Sequence, residues 1–483
     1  MCRSSTGQTV KLNAFMLRKI RISLAAVCFV LVTLLLTGIN WQLTQHIGWL
    51  ARIQFLPALL ALDYTMLLVL VVITLLFGRI YCSVICPLGI LQDLFGWAGR
   101  QQKKNRYRFS PEKRWLRYSV LVVFLACLIF GWMPVVRLLE PYSAYGRIVQ
   151  LPWLRSVLTA VVAVLTLVIP AVLAWFNGRT YCNTVCPVGS LLSLFARVSL
   201  LRVQVDESKC NKCSLCERNC KAAAIDSKTG KIDYTRCVVC GDCIDKCKHD
   251  ALHYKPIHLK KSETSESSSS EGPASPERRA MLTGAGLVVA SAALAQAKIK
   301  VDGGLAEIED KKAPRRQTPV TPPGSISTFN MNRHCTACQL CVSACPNHVL
   351  RPSSDPMHLM QPVLSFERGY CRPECTHCSQ VCPTGAIKPV TKEEKTAIHI
   401  GHAVWIEANC IPVSKGDVCT ACSRHCPTGA IQLVDYTTKD GRDVRVPAID
   451  NERCIGCGEC EYLCPARPFS AIYVEGNLMH HIS

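Results

Sequence analysis

The sequence has no Cys-x-x-Cys-His motif, which excludes covalent attachment of a c-type haem. It has no glycine-rich dinucleotide fingerprint, so a direct reaction with NAD(P)H is not expected. It also lacks helix-turn-helix and RNP-like patterns, although Lys and Arg exceed Asp and Glu by 55 − 35 = 20. We therefore expect no nucleic acid as a partner, and the basic excess needs another explanation.

Charged residues are almost absent from four apolar segments in the N-terminal part of the chain. Each is near the ~20 residues that a helix needs to cross a bilayer. The segments are Ile22–Ile39, Ala58–Phe77, Tyr118–Met133 and Ser156–Phe176. Basic residues gather before the first segment and between the second and third, which places these stretches in the cytoplasm. The sequence thus predicts an α-helical membrane domain of four transmembrane helices over residues 1–204.

An internal repeat connects the two halves of this domain. GRIYCSVICPLGILQDLF at 78–95 matches GRTYCNTVCPVGSLLSLF at 178–195, with a constant offset of 100 residues. Each copy ends in a Cys-x3-Cys-Pro turn, and the cysteines are Cys82, Cys86, Cys182 and Cys186. They could hold a cluster, exchange electrons as dithiols or line a quinone pocket, or they could be inert thiols at helix ends. The recurrence at equal depth favours a redox site.

Most of the 31 cysteines fall in six sets of four. Four sets have the spacing C-x2-C-x2-C-x3-C: Cys210, Cys213, Cys216 and Cys220; Cys237, Cys240, Cys243 and Cys247; Cys335, Cys338, Cys341 and Cys345; Cys454, Cys457, Cys460 and Cys464. Two sets are looser: Cys371, Cys375, Cys378 and Cys382; Cys410, Cys419, Cys422 and Cys426. Structural zinc sites instead separate two Cys-x2-Cys pairs by a long loop. We therefore expect six [4Fe–4S] clusters.

The fourth cysteine of such a motif ligates the other cluster of a pair. In a two-cluster domain at 205–256, we expect Cys247 to complete the first set and Cys220 the second. In a four-cluster domain at 329–483 we expect a nested order, in which the outermost sets exchange Cys464 and Cys345, and the inner sets exchange Cys382 and Cys426. Both domains are predicted to have the α+β bacterial-ferredoxin-like fold.

The stretch PERRAMLTGAGLVVASAALAQA at 276–297 resembles an export signal in the middle of the chain. Arg278 and Arg279 precede a weakly apolar run that ends in Ala-x-Ala, which is typical of twin-arginine signals. A Ser-rich linker at 257–275 precedes the segment 276–298, and a Pro-rich linker at 299–328 follows it. A fifth membrane helix is the alternative, and both interpretations place the four-cluster domain in the periplasm.

These motifs carry a resemblance to two known families. Residues 1–256, with two Cys-x3-Cys-Pro turns and a pair of clusters, resemble the NapH-type membrane ferredoxins. Residues from about 275 to 483 are similar to the NapG-type (MauM/NapG) four-cluster ferredoxins. The resemblance implies a fused quinol dehydrogenase in the inner membrane, which passes electrons from the quinone pool, with quinol as a candidate substrate, to a periplasmic reductase or cytochrome acceptor.

Two alternatives stay open at this point. The protein could be a maturation or regulatory ferredoxin that supplies electrons for reductase activation. It could also be a precursor that is cleaved after Ala297 into two ferredoxins. The sequence leaves open whether the chain is an enzyme or an electron carrier.

Overall fold

The structure is a computed structural model. It describes residues 6–101, 107–154, 156–256, 301–302, 306–307 and 309–482. The signal-like segment predicted at 276–298 and the linker predicted at 257–275 lie outside the described residues. We call residues 6–200 the helical unit, residues 201–256 the small cysteine unit and residues 309–482 the large cysteine unit.

The helical unit is built from apolar helices joined by short helical turns. Its helices are α1 (Thr6–Thr37), α2 (Trp41–Ile47), α3 (Trp49–Arg52), α4 (Phe55–Leu60), α5 (Tyr64–Phe77), α6 (Tyr81–Val84), α7 (Pro87–Gln101), α8 (Arg114–Ile129), α9 (Met133–Leu139), α10 (Pro141–Val149), α11 (Val157–Asn177), α12 (Thr180–Thr184) and α13 (Pro187–Ala196), with a 3-10 turn at Leu151–Trp153. α10 begins where the Glu140 carboxylate accepts the Ser143 N–H and Pro141 takes the first helical position. Residues 141–147 of this helix are all buried.

Among the residues that the structure describes, two helices are long and apolar enough to cross a membrane, namely Arg18–Thr37 within α1 and Val157–Asn177. The second and third predicted segments form shorter helices, α5 with 14 residues and α8 with 16. The second segment is interrupted because Leu62 adopts a left-handed backbone (φ 55°) and the Asp63 carboxylate caps α5 by accepting the Met66 N–H. The third ends before Gly131, which has φ 75°. The prediction of four helices of full spanning length was therefore too simple.

The two Cys-x3-Cys-Pro segments occur in the same order of elements. α5, α6 and α7 run in sequence around the first, and α11, α12 and α13 around the second. Packing crosses between the two copies, because α7 lies along α11 and α13 lies along α5. The cysteine turns of both copies therefore meet at the centre of the helical unit.

The small cysteine unit is an antiparallel pair of strands with two helical turns. β1 (Leu201–Val205) pairs with β2 (Leu252–Pro256), and the turns are α14 (Leu215–Arg218) and α15 (Asp242–Asp245). Each turn follows a residue with a left-handed backbone, Ser214 (φ 60°) or Gly241 (φ 77°). This loop-and-turn plan brings the cysteines of one motif to the same side of the chain.

The large cysteine unit contains three antiparallel strand pairs and further short helices. β5 (Leu350–Pro352) pairs with β6 (Pro362–Leu364), β7 (Ile398–Trp405) with β10 (Ile472–Ile482), and β8 (Ile431–Thr437) with β9 (Asp443–Ile449). The short pair β3 (Val301–Asp302) and β4 (Ala306–Glu307) precedes this unit. Its helices are α16 (Thr328–His334), α17 (Leu340–Ser343), α18 (His377–Val381), α19 (Lys392–Ala397), α20 (Ile411–Lys415), α21 (Ala421–Arg424) and α22 (Glu459–Leu463), with a 3-10 turn at Glu407–Asn409.

The two cysteine units contact opposite ends of the apolar stretch Arg18–Thr37 of α1. At its start, Arg18 donates to Asp242 at 3.0 Å and to Asp245 at 3.2 Å in the small unit. Just after its end, Gly38 lies so close to the Ser343 carbonyl of the large unit that any Cβ would clash. The twenty residues between these contacts span about 30 Å at 1.5 Å per residue. The two cysteine units are therefore separated by roughly the thickness of a bilayer core.

The His480 imidazole in β10 gives the large unit a pH-dependent stability. Burial, together with the smaller effect of His481, lowers the pKa of His480 to about 4. The unfolded chain takes up this proton near pH 6.5, so His480 contributes stability above that pH and loses it as the pH falls towards 4. Acidification should lower the free energy of unfolding of a His480→Gln variant by on the order of 3 kcal/mol less than that of the parent protein.

Amide hydrogen exchange in β10 between pH 7 and pH 5 measures this effect. After division by the intrinsic exchange rate at each pH, the protection of β10 should fall in the parent protein and much less in the variant. His46→Gln, in the exposed part of α2, is the control and should behave as the parent protein. An equal fall of protection in the parent protein and in the His480 variant would contradict the assignment.

Candidate iron–sulfur centres

The small cysteine unit forms two cavities, each lined by four cysteines. One cavity is lined by Cys210, Cys213, Cys216 and Cys247. The other is lined by Cys237, Cys240, Cys243 and Cys220. Each motif thus supplies three cysteines to one cavity and its last cysteine to the other, which agrees with the exchange expected from the sequence.

In the large cysteine unit the nested pairing expected from the sequence is wrong. The first set, Cys335, Cys338 and Cys341, shares a cavity with Cys382 and not with Cys464. The second set, Cys371, Cys375 and Cys378, lines a cavity with Cys345. The reason is local packing, because α17 and α18, which carry these motifs, lie against each other. Motifs that are neighbours in sequence therefore exchange their fourth cysteines.

The remaining two sets follow the same sequential rule. Cys464 lies within electrostatic range of Cys410 and Cys422. Cys426 likewise interacts with Cys454 and Cys457. Here α21 and α22 provide the contact. The large unit thus contains two successive pairs of motifs, and the two motifs of each pair exchange their fourth cysteines.

The donor sets fit iron–sulfur clusters in shape and polarity. Backbone N–H groups point at the fourth cysteines, with Ala224 N–H at 3.4 Å from Cys220 Sγ, and Ala471 N–H at 3.3 Å from Cys464 Sγ. In the described residues no three His, Cys, Asp or Glu side chains are grouped as a site for a single metal ion. Burial raises the pKa of Cys457 to about 12, so cationic iron is what would hold such thiols as thiolates.

The order of the four cavities in the large unit can be followed through direct contacts. Arg137 of α9 donates from Nε to the Cys335 carbonyl at 2.9 Å, so the cavity of the first set is next to the helical unit. The Cys371 N–H donates to the Cys457 carbonyl at 2.9 Å, which joins the second cavity to that of the Cys454 set. The cavity of the Cys410 set is therefore the farthest along the series.

The four cysteines of the repeat converge in the middle of the helical unit. Cys82, Cys86, Cys182 and Cys186 are each no more than 4% exposed. Cys186 lies within electrostatic range of the other three. Cys82, Cys86 and Cys186 share one apolar core with Cys220 and Cys243 of the small unit and with Ala144 of α10.

Two arginines cross between the copies beside these cysteines. Arg79 of the first copy donates to the Cys182 carbonyl at 3.1 Å, and Arg179 of the second donates to the Cys82 carbonyl at 2.6 Å. Gly89 and Gly189 permit this approach, because a Cβ at either would collide with those same carbonyls. Each copy therefore completes the cysteine turn of the other.

Asp93 fastens this centre to the small cysteine unit. Its carboxylate accepts from Arg179 at 2.6 Å and from Lys221 at 2.7 Å. Burial alone would raise the pKa of Asp93, but Arg179 and Lys221 outweigh it and hold the pKa well below its usual range. The pair interactions are therefore complete at neutral pH and weaken only in strong acid.

Replacing Asp93 by Asn is expected to destabilise the protein by about 3–5 kcal/mol, because Arg179 would be left buried without its counter-charge. Thermal unfolding in detergent measures this loss. Asp206→Asn is the matched control, since Asp206 forms a solvent-exposed pair with Lys209 at 3.5 Å, and should cost no more than about 1 kcal/mol. Equal losses of stability in the two variants would show that the buried ion pairs of Asp93 do not stabilise the protein more than an exposed pair does.

α10 connects the repeat cysteines to the large unit. Ser143 Oγ donates to the Thr336 carbonyl at 2.6 Å, and a Cβ on Gly146 would clash with the Cys338 carbonyl. Tyr142 and Tyr145 pack in the same core as Cys338. The sequence reasoning missed this helix, its buried Arg147 and the buried Arg137 of α9. The paired Gly-Arg at 78–79 and 178–179 was the signal that could have indicated buried arginines.

Comparison with known proteins places these observations in a family. A family model described as a 4Fe-4S binding domain matches residues 62–106 and 159–204, and one described as a 4Fe-4S dicluster domain matches residues 417–467. The methylamine utilization ferredoxin-type protein MauM of Methylophilus methylotrophus is 31% identical over 160 residues, which cover 32% of this chain and 70% of that protein. The chain belongs to this family of ferredoxin-type proteins.

Other relatives agree with membership of the family. The ferredoxin-type protein NapH of Escherichia coli is 29% identical over 215 residues, 41% of this chain and 68% of that protein. An uncharacterized protein of Methanocaldococcus jannaschii is 29% identical over 232 residues, 47% of this chain and 82% of that protein. No solved structure matches the chain. The chain is thus an iron–sulfur protein of electron transfer, with 4Fe–4S binding domains.

Proposed function

We propose that the chain is a multi-pass membrane protein that carries electrons from the quinone pool to an acceptor on the periplasmic side. In this proposal a NapH-like part and a NapG-like part are fused, and the six cysteine sets hold six [4Fe–4S] clusters. The small cysteine unit lies in the cytoplasm and the large one in the periplasm. Quinol is the reductant, and a periplasmic reductase or cytochrome is the acceptor.

Apolar side chains on the outer surface of the helices support the membrane location. Leu68 on α5, Val122 on α8 and Val161 on α11 are 65%, 63% and 48% exposed. Only 22% of the spanning window is buried in each of the two long helices, which is unlike the core helix of a soluble protein. A further, largely buried helical turn precedes the shorter helix α5, and another follows the shorter helix α8. We therefore propose four membrane crossings.

The observation that carries the proposal is that the two cysteine units contact α1 at opposite ends of its stretch Arg18–Thr37, at points about 30 Å apart along the helix. The arrangement of basic residues supports the direction. At one end of the helical unit, Arg18, Arg100 and Arg117 donate to the small cysteine unit, whereas the segment between α1 and α5 has only Arg52. The positive-inside rule assigns the first end to the cytoplasm.

Bound clusters supply reversible one-electron redox chemistry. The chain's own residues position them: Arg137 and Ser143 fix the first set of the large unit against α10, and the contact between Cys371 and Cys457 fixes the next pair. The absence of a dinucleotide motif leaves the membrane as the source of the reductant.

Oriented proteoliposomes test the proposal. Full-length protein with a C-terminal tag is reconstituted, a quinol is added, and reduction of the clusters is followed by EPR and by bleaching of the visible absorbance. We expect quinol to reduce the clusters and the tag to be cut by protease from the side opposite Lys209. A tag and a small unit accessible from the same side would overturn the proposal. Sustained turnover with a periplasmic acceptor would separate it from a role restricted to reductase activation.

A further inference from the structure

The four repeat cysteines form a site that six clusters do not use. Two come from each copy of the Cys-x3-Cys-Pro segment, so neither copy alone offers four ligands. The packing of α7 on α11 and of α13 on α5 brings both pairs to one buried centre. The site lies between the cavity of Cys220 and Cys243 and the helix α10, which contacts the large unit.

We propose that Cys82, Cys86, Cys182 and Cys186 together bind a seventh iron–sulfur cluster, shared between the two copies. Four thiolates are the standard ligand set of both two-iron and four-iron clusters. This inference deepens the proposed function, because the cluster would connect the small unit to the large unit through the membrane interior. Its chemistry, however, can be tested without any transfer across the membrane.

The buried positive charge of Arg79 beside the site would be stabilised by an anion at this position. The Arg79 side chain is fully buried, and its partners are Asn183 Oδ1, two carbonyls and Cys82 Sγ at 3.9 Å. In the part of the chain that the structure describes, Arg79 forms no ion pair with Asp or Glu, and its Nε has no partner. A buried unpaired guanidinium is costly. A four-thiolate cluster carries net negative charge and would compensate Arg79.

Hydrogen-bond donors also point at the sulfur atoms. Gln92 Nε2 donates to Cys182 Sγ at 3.2 Å, and the Gly189 N–H donates to Cys186 Sγ at 3.4 Å. The same kind of N–H contact is made to Cys220 and Cys247 in the small unit. Donors of this kind stabilise cluster thiolates and raise the reduction potential.

A pair of dithiols is the principal rival, since two thiols in each copy could cycle between reduced and disulfide forms. A dithiol needs only the two cysteines of one copy. It gives no reason for both pairs to meet, nor for the crossing of Arg79 and Arg179. The observed arrangement therefore favours one shared four-ligand site.

Iron and acid-labile sulfide counts on the purified full-length protein test the proposal. We expect about 28 iron atoms per chain, or about 26 if the seventh cluster has two irons, against about 24 for six [4Fe–4S] clusters. Cys82→Ser and Cys182→Ser, one in each copy, should each lose the same two to four irons. The double variant should lose no more than either single variant, because all three remove one shared cluster.

Cys127→Ser is the matched control, because Cys127 is buried in α8 within a different core and should keep the full iron content. A count near 24 in the parent protein, or disulfide-linked Cys82 and Cys86 by mass spectrometry, would overturn the seventh cluster. Quinol oxidation and topology are measured separately, so either proposal can fail without the other.

A more conservative substitution tests the proposal even if the serine variants do not fold. Gln92 corresponds to Leu192 in the second copy, and both are buried. Gln92→Leu therefore introduces the residue that the repeat already tolerates, and removes one N–H donor to Cys182. We expect the iron content to be unchanged and one EPR-detected midpoint potential to move to a lower value. Six unshifted potentials and no seventh signal would contradict the proposal.

Discussion

Replacing Gly146 by alanine is expected to uncouple the large cysteine unit from the helical unit. The added methyl group would collide with the backbone carbonyl of Cys338, which cannot move as a side chain can. The adjacent contacts of Ser143 with Thr336 and of Arg137 with Cys335 depend on the same close approach. Overpacking of this kind costs about 2 kcal/mol, which would lower the equilibrium constant for docking by roughly thirty-fold.

Stopped-flow reduction from the small-unit side measures the result. Clusters of the small unit should be reduced at the normal rate, whereas those of the large unit should be reduced much more slowly, at unchanged iron content. Gly48→Ala is the control, since Gly48 has an ordinary helical backbone (φ −57°) and its Cβ would meet only Thr44 of the preceding helix. Normal reduction of the large unit in the Gly146 variant would show that α10 is not the connection.

Removing the first cluster of the large unit is expected to have a greater effect than removing the last. Cys338→Ser alters the set that touches α10, and the contact between Cys371 and Cys457 links the later cavities of the series. The three remaining clusters should be present but no longer reduced by quinol. Cys419→Ser alters the most distant set, so three clusters should still be reduced.

EPR spectra after quinol and then after dithionite separate these cases. In the Cys338 variant dithionite should reduce clusters that quinol leaves oxidised, and in the Cys419 variant it should add little. The pair also tests the sequential order, because a nested order would bring the Cys454 set next to the first set. Full quinol reduction in the Cys338 variant would contradict the order of contacts.

The motif spacings predicted the cysteine sets, and the local symmetry of the small unit predicted the exchange of Cys220 and Cys247 between its cavities. The nested order failed in the large unit because spacing describes contacts within a motif and says nothing about which helical turns pack together. The contact of α17 with α18 decided that pairing, and it depends on tertiary packing.

Helix lengths and buried charges show a second limit of sequence reasoning. Hydropathy predicted a continuous segment through Leu62 and Asp63, where a left-handed residue and a carboxylate cap begin a new helix. Arg79 was counted among the basic loop residues that indicate topology, and Arg179 is its equivalent in the second copy. They are fully buried because each satisfies carbonyl groups of the other copy, a relation that exists only once both copies are folded together.

The crossing of Arg79 and Arg179 makes the two copies mutually dependent for folding. A single copy on its own would leave its cysteine turn without an arginine donor and one face of its apolar helix uncovered. Two identical copies facing each other would satisfy these needs as a symmetric dimer, and the present chain has the same interface within one polypeptide. Changes at the interface are therefore constrained, because a side chain at Gly89 would displace the Cys82 carbonyl that accepts from Arg179.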